Sequence, residues 1–518
     1  DGVLVILTPQ ANTDSTRTAE QLKPLAKLDG KPILASWMGG ADVATGETII
    51  NRSNIPTFPY PDTAVRIFNY MWRYTYNLRG LYETPTLSQA MESVRDRDLA
   101  ERLIQEARNS GRELINEFDS KRILESYGIP VVETLMMREE DEAVRAAEQI
   151  GYPVVLKLAS STIAHKAQAG GVLLNLTDAG AVRSAYRKIR TTVEKHFGSD
   201  DFQGVTVQPM IRFDGYDIII GSTLDPQFGP VLLFGSGGRV LNFYRDRALG
   251  LPPLTVTLAR RLMEQTQIYR ALKANRPDID LAALEQLLVQ FSLLVVEQRW
   301  IREIDVNPLL VSPERMLALD ARIIVHAADV DPKTIPELAI RPYPTQYVSQ
   351  WTMPDSTPVT IRPIRPEDEP LMVKFHETLS ERSVYFRYFH AMRLTQRIAH
   401  ERLTRICFID YEREMALVVL HRDPSTEEQQ ILAVGRLILL RGTREGEFAV
   451  LVSDNWHHRG LGRELLKRLV EIGRKEKLTR IFGDVLPENR DMLRVCDRLG
   501  FRRRYLAEEG VVRAEIDL

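Results

Sequence analysis

Apolar and polar positions change period several times along the chain, and those changes divide it. Val3–Leu7 is a continuous apolar run, Ser15–Leu28 has apolar residues at helical spacing, and Lys31–Trp37 is a second apolar run ending in Met38-Gly39-Gly40. Thr63–Leu78 is again helical in period and rich in aromatics. Strands alternating with helices predict βαβ units on a parallel sheet, so residues 1–92 are expected to form part of a doubly wound domain. Residues 93–110 are highly charged and are expected to bridge two units.

The middle of the chain, 108–333, reads as mixed α+β. A helix is predicted from Ser120 to Tyr127, stopped by Gly128-Ile129-Pro130. Strands are predicted at Val131–Met136, Val154–Leu158, Gly171–Leu176, Val205–Gln208, Asp217–Gly221, Val231–Phe234 and Leu317–Leu319. Helices are predicted at Asp141–Ile150, Asp178–Glu194 and Ala283–Val296. Between 331 and 358 stand Pro332, Pro336, Pro342, Pro344, Pro354 and Pro358, a density that reads as a linker. Residues 355–518 then form a further α/β unit. The fold class expected is an α/β and α+β multidomain chain.

Composition narrows the class without changing the division. A length of 518 residues predicts about three or four domains. At 44% hydrophobic and 27% charged residues the chain is an ordinary globular one, which excludes disorder, collagen and coiled coil as global descriptions. Lys plus Arg number 68 against 70 Asp plus Glu, a net charge of −2 that gives no argument for nucleic acid or a membrane as partner. The two cysteines, Cys407 and Cys496, form no CxxC and point to a reducing, cytoplasmic compartment. No apolar run reaches the roughly 18 residues of a membrane helix. The chain opens on Asp1 with a buried strand already at Val3, so it is expected to be truncated upstream.

The sharpest chemical signal lies in the last unit. Glu447-Phe448-Ala449-Val450-Leu451-Val452 reads as a strand, Asn455-Trp456-His457-His458-Arg459-Gly460-Leu461-Gly462-Arg463 as a glycine turn, and Leu461, Leu465, Leu466, Leu469 and Ile472 as a helix. Free amides at such a helix start, with the positive end of its dipole, suit an anion, and glycines admit a pyrophosphate closely. The bland alternative is a βα turn whose glycines serve geometry only. Downstream comes Glu488-Asn489-Arg490-Asp491-Met492-Leu493-Arg494-Val495-Cys496-Asp497-Arg498-Leu499-Gly500-Phe501. Together these resemble the GNAT superfamily of N-acetyltransferases over about 355–518.

That resemblance implies that His458, Arg459, Gly460, Leu461, Gly462 and Arg463 hold the pyrophosphate of acetyl-CoA and that Asn489 bonds its arm. It implies Glu447 as general base, through a water. The chain departs from the pattern at His457, where Gln or Arg is usual, and at Cys496, where a Tyr often serves as acid. A thiolate leaving group makes such an acid dispensable. Cys496 is most simply a buried small apolar residue, and Glu447 has the alternative of an exposed strand-edge carboxylate. Tyr385-Phe386-Arg387-Tyr388-Phe389 and His390 either line the acceptor groove or are core and edge aromatics.

In the middle unit Val154-Val155-Leu156-Lys157 ends a strand in a lysine, and His165-Lys166-Ala167-Gln168-Ala169-Gly170-Gly171-Val172 follows eight residues later. Two lysines beside a Gly-Gly turn suit a polyphosphate. Gln208-Pro209-Met210 is a candidate adenine-facing hinge, and Glu303, Asp305, Asn307 and Asp320 offer hard oxygen ligands for Mg²⁺. Taken in order, with Gly151-Tyr152-Pro153, Asp225-Pro226, Gly229-Pro230 and Asp305-Val306-Asn307-Pro308-Leu309, the set resembles the ATP-grasp part of ADP-forming acyl-CoA synthetases over about 110–330. Residues 1–92 look like that family's CoA-ligase domain.

By that resemblance Lys157, Lys166, Gln208 and Met210 touch ATP or ADP, Glu303, Asn307 and Asp320 hold Mg²⁺, and His165 is a phosphate acceptor. Ala167-Gln168 in place of Ser-Asp, Asn242 in place of an acid and Asp217 in place of Glu put ATP turnover in doubt. The whole architecture resembles the bacterial Pat-type protein lysine acetyltransferases. The resemblance implies an acetyl-CoA-dependent enzyme acting on a lysine of acyl-CoA synthetases, a regulatory synthetase-like module and a homo-oligomer. The alternatives are an active ADP-forming synthetase carrying a GNAT domain, a catalytically dead sensor, and an acetyltransferase for small amines.

Overall fold

The computed structural model describes residues 2–10, 12–27, 31–81, 83, 96–163, 166–212, 214–238, 246–423 and 427–518. Asp1–Glu83 form one compact unit and Thr84–Leu518 another. In the first, β1 (Val3–Leu7), α1 (Ser15–Leu22), β2 (Ile33–Trp37), α2 (Ala44–Arg52), β3 (Thr57–Phe58) and α3 (Pro61–Leu81) build a parallel sheet in the order β1-β2-β3. Its core is Leu7, Ala19, Ile33, Ala35, Trp37, Val43, Ile50 and Ile55. The helix expected over Ser15–Leu28 ends at Leu22 and continues as a 3₁₀ turn, Lys23–Lys27. Pro24 is the reason, since it has no N–H to donate and its ring crowds the preceding turn.

The second unit opens with α4 (Arg97–Asn109), β4 (Leu114–Ile115), α5 (Glu117–Ser126), β5 (Leu135–Met137), α6 (Glu140–Ile150), β6 (Val154–Leu158), β7 (Val172–Leu176), α7 (Ala179–His196) and β8 (Val205–Pro209). Next come β9 (Tyr216–Asp225), β10 (Gly229–Ser236), β11 (Arg247–Gly250), α8 (Val256–Glu264), α9 (Gln267–Asn275), α10 (Leu281–Glu297), β12 (Ile301–Val311), β13 (Met316–Ala318) and β14 (Ala321–Val325). They form a four-stranded sheet, β5-β8-β6-β7, and a larger one, β11-β10-β9-β12-β14-β4, with β13 on β12. Helix α5 starts at Glu117, three residues before the predicted Ser120, because the Asn116 side chain caps it by accepting the Asp119 N–H at 2.9 Å.

The last module contains β15 (Ser349–Thr352), β16 (Pro358–Pro363), α11 (Glu369–Glu377), α12 (Glu381–Tyr388), α13 (Leu394–Arg397), α14 (His400–Cys407), β17 (Glu414–Arg422), β18 (Gln429–Leu439) and β19 (Glu445–Val452). It ends with α15 (Leu461–Lys475), β20 (Arg480–Val485), α16 (Arg490–Arg498), β21 (Arg502–Leu506) and β22 (Val511–Asp517). One eight-stranded sheet runs β15-β16-β17-β18-β19-β20-β22-β21, with β19 and β20 parallel and the other neighbours antiparallel. Met415, Leu417 and Val419 pack with α15 on one face, while Ala416, Val418 and Leu420 pack with α11, α12 and α14 on the other. A strand buried on both faces reads as a continuous apolar run.

The proline-rich stretch is not all linker. Ser349–Thr352 is the edge strand of this sheet, Tyr343 donates to the Pro363 carbonyl at 2.8 Å, and Arg341 reaches Glu476 at 2.7 Å. Proline is compatible with a sheet at its edge, and the reading of a linker from density alone overlooked that. Among the described residues no helix is long and apolar enough to cross a membrane.

Candidate functional site

In the middle module, four side chains converge on Glu117, which is 2% exposed. Its Oε1 accepts from Lys121 Nζ at 2.9 Å, Lys157 Nζ at 2.9 Å and Gln208 Nε2 at 2.7 Å, and its Oε2 accepts from Lys166 Nζ at 2.6 Å. Helix α5 supplies Glu117 and Lys121 one turn apart, β6 supplies Lys157, and β8 supplies Gln208. Burial alone would raise the Glu117 carboxyl, but Lys157, Lys166 and Lys121 outweigh it and hold the group well below its ordinary value. Burial lowers Lys121 to about 8 against the pull of Glu117. Burial also opposes the charge on Lys157, yet Glu117 and Asp320 keep it raised.

Beside this cluster lies a cavity of about 320 Å³, lined by Glu117, Lys166, Asp305, Asn307 and Asp320 among others. Burial raises the carboxyls of Asp305 and Asp320. Asn307 enters the cavity at a break in register between β12 and β9 that falls between Val306 and Leu309, and its Oδ1 accepts the Gly238 N–H at 3.1 Å. Glu303, expected as a metal ligand with Asn307 and Asp320, is ion-paired to Arg322, as is Asp305 at 4.0 Å, and of the two carboxylates Asp305 lines the cavity. No three His, Cys, Asp or Glu side chains cluster as a metal site among the described residues.

The hinge candidates are also committed elsewhere. The Gln208 amide serves Glu117, and the Met210 N–H donates to the Pro153 carbonyl at 2.9 Å. His165 and Asn242 lie outside the described residues. Glu117, the carboxylate at the centre of this cluster, is the residue that the sequence left unmarked. The signal available was a Glu–Lys pair at i, i+4 running into the apolar positions Ile123, Leu124 and Tyr127.

In the C-terminal module the strand, turn and helix stand as the pattern predicts, and the sheet adds an opening. β19 pairs with β20 only through Glu445↔Arg480, Gly446↔Ile481 and Glu447↔Phe482, after which the strands diverge. From Phe448 to Val452 the edge of β19 that faces β20 is unpaired, although the other edge stays on β18. The Phe448 ring occupies the place where a Cβ at Gly483 would lie, with 2.7 Å to the nearest ring atom, so only glycine fits there. Glu447 sits at the last paired position, at the mouth of the opening, exposed but on an interior strand, not a sheet edge.

The turn then delivers the chain to α15. His458 has φ 61° and Gly460 φ 88°, and no side chain caps the helix, which leaves the amides of Leu461, Gly462 and Arg463 without a cap. The atom nearest a Cβ at Gly462 would be 3.9 Å away, so packing does not require glycine there. Arg459 is paired to Asp355 at 3.1 Å and lies over the Trp456 ring, while Arg463 is exposed in the first turn. His457 Nε2 is 3.0 Å from the Val452 carbonyl oxygen. Asn489 caps α16, its Oδ1 accepting the Met492 N–H at 3.2 Å, which leaves its NH₂ to meet a ligand. Cys496 is buried and free, and burial pushes its thiol up to about 12.

Residues 106–325 match the family model described as an ATP-grasp domain, and residues 359–502 that of the acetyltransferase (GNAT) domain. The β subunit of acetate–CoA ligase [ADP-forming] I from Pyrococcus furiosus is 35% identical over 228 residues, 44% of this chain and 97% of that subunit. Acetate–CoA ligase [ADP-forming] I from Archaeoglobus fulgidus is 32% identical over 327 residues, 63% of this chain and 46% of that enzyme. The chain thus spans about half the length of the first curated relatives it matches. Among solved structures, the GNAT domain of S. lividans PAT is 27% identical with a TM-score of 0.31, covering 34% of this chain and 99% of that one.

Proposed function

Since this chain belongs to the family of the ADP-forming acyl-CoA synthetases and carries a GNAT acetyltransferase domain behind that module, we propose that it transfers acetyl groups from acetyl-CoA to the Nε-amine of a protein lysine. Acyl-CoA synthetases are the acceptors this reading favours. The observation that carries it is the divergence of β19 from β20, which begins at Glu447. The unpaired edge from Phe448 to Val452 receives the amide-bearing arm of acetyl-CoA much as it would receive a strand. The uncapped amides of Leu461, Gly462 and Arg463 receive its pyrophosphate, and the Asn489 NH₂ meets the arm.

Acetyl-CoA supplies the activated thioester. A lysine of ordinary pKa, about 10.4, is protonated at neutral pH and cannot attack until it gives up that proton. Glu447 takes it, directly or through one water, which its exposure permits. Cys496 is buried away from solvent and plays no part. The middle module is regulatory in this reading, with ATP or ADP and Mg²⁺ entering the cavity lined by Lys166, Asp305, Asn307 and Asp320. Thiol release from acetyl-CoA in the presence of a lysine acceptor tests the base. Glu447→Gln should lower kcat by about 100-fold or more with acetyl-CoA affinity kept. A parallel loss of both would show that Glu447 supports binding or fold and does not take the proton.

A further inference from the structure

On the Glu447 side of the sheet is a second cavity, about 400 Å³, between α12, α14 and the strands β17 and β18. Its charged lining is Arg387, Arg402, Arg405 and Arg436 against Glu401 and Glu414. Arg436 and Glu414 pair with each other, which leaves three guanidiniums and one carboxylate. The Arg387 and Arg402 guanidiniums lie 5.1 and 4.7 Å from the centre of the Tyr388 ring. Among the described residues neither guanidinium makes a hydrogen bond or ion pair, and the Arg402 Nε is buried without an acceptor. Arg387 is half-buried, and burial lowers its guanidinium against the pull of Glu447. His376, facing the small adjoining cavity with Arg387 and Tyr388, is 1% exposed with both ring nitrogens unpartnered. The Arg402 Nε and the single N–H of a neutral His376 are buried donors without an acceptor, and such donors call for one from outside.

We propose that this cavity binds an oxyanion, a carboxylate or phosphate, on the same face of the sheet as Glu447. Two forked guanidiniums close to one ring suit such a planar or tetrahedral group. Ile438 lines the cavity and is the cross-strand neighbour of Glu447, so the cavity lies on the same face of the sheet as the base, one strand away. The inference rests on the acetyl-transfer reading and narrows its substrate. A lone lysine ammonium is repelled by this lining, whereas an amine with a carboxylate within one or two residues brings its own counter-charge. The oxyanion is therefore carried by the acceptor or is a free anion that prepares the site.

Two measurements on the full chain decide it. In the first, succinate and inorganic phosphate are titrated separately into the wild type, Arg387→Gln and Arg405→Gln. Arg405 is exposed, so its variant keeps the test intact if Arg387→Gln unfolds. Binding that weakens in the variants supports the oxyanion. In the second, acetyl transfer is compared on two lysine peptides that differ only in Glu or Gln two residues from the lysine. A preference for the Glu peptide of about tenfold in kcat/KM, lost in the variants, assigns the oxyanion to the acceptor. Binding without that preference assigns it to a free anion. Anion affinity and peptide preference both unchanged by the substitutions would overturn the proposal. If neither peptide is acetylated, the acetyl-transfer reading fails, and the titration alone still decides the oxyanion.

Discussion

Two cationic clusters in this chain stand in opposite situations. In the middle module Lys121, Lys157 and Lys166 share one buried carboxylate, Glu117, which Gln208 also serves. Beside Tyr388 in the C-terminal module, Arg387 and Arg402 have no such partner among the described residues. The first cluster is complete in itself, and a phosphate entering there must compete with Glu117 for Lys166. The second is incomplete until something binds. The difference shows that basic residues near a cavity say little until their counter-charges are counted. Here the count leaves Arg387 and Arg402 open in the C-terminal module and the lysines of the middle module paired.

The largest expected effect breaks the complete cluster. Glu117→Gln leaves three ammonium groups without their carboxylate in a buried place, and breaking a buried pair in this way costs about 3–5 kcal/mol. The thermal transition of the middle module should fall or disappear, while acetyl-CoA binding by the C-terminal module survives. Unchanged stability would mean that water reaches the lysines and that the contrast between the clusters is false.

A smaller effect concerns pH. The His376 imidazole is pushed down from 6.5 to about 4, first by burial and then by Arg397, Arg402 and Arg436. Its unfolded form takes a proton near pH 6.5 and its folded form only near 4. The unfolded state therefore binds more protons in that window, and stability falls as the pH is lowered through it, by at most about 3 kcal/mol. His376→Phe should flatten that slope in urea titrations between pH 6.5 and 4. An identical slope in the variant would remove His376 as its cause.

The smallest effect sharpens the site itself. Gly462→Glu puts an acid in the first turn of α15, where the helix dipole favours it and a side chain has room. Tm should hold or rise slightly, while acetyl-CoA affinity, read by calorimetry, falls roughly tenfold through repulsion of the pyrophosphate, about 1.4 kcal/mol. Affinity that survives the added carboxylate would place the pyrophosphate elsewhere.

Much of the C-terminal strand, turn and helix was legible in the sequence because their signals are local. The apolar strand ending at Val452, the glycines and the stripe of Leu461, Leu465, Leu466 and Leu469 each state their element. The opening between β19 and β20 was not legible, since it depends on a register between strands some thirty residues apart. Glu117 was hidden because a carboxylate in the first turn of a helix ordinarily serves the helix dipole, and only the fold brings Lys157, Lys166 and Gln208 to it. Edge strand β15 was masked by its flanking prolines. Glu303 and Asp305 have the same spacing signal and both pair with Arg322, and only the folded cavity, which Asp305 lines, tells them apart.

The most direct test of the account asks where the chemistry happens. An AMP-forming acetyl-CoA synthetase is incubated with this chain and acetyl-CoA, without ATP, and its intact mass is measured. The account predicts a gain of one acetyl group that is lost with Glu447→Gln and kept when the middle cavity is blocked by Lys166→Glu. An acetyl gain that requires ATP, or that survives Glu447→Gln and fails with Lys166→Glu, would contradict it.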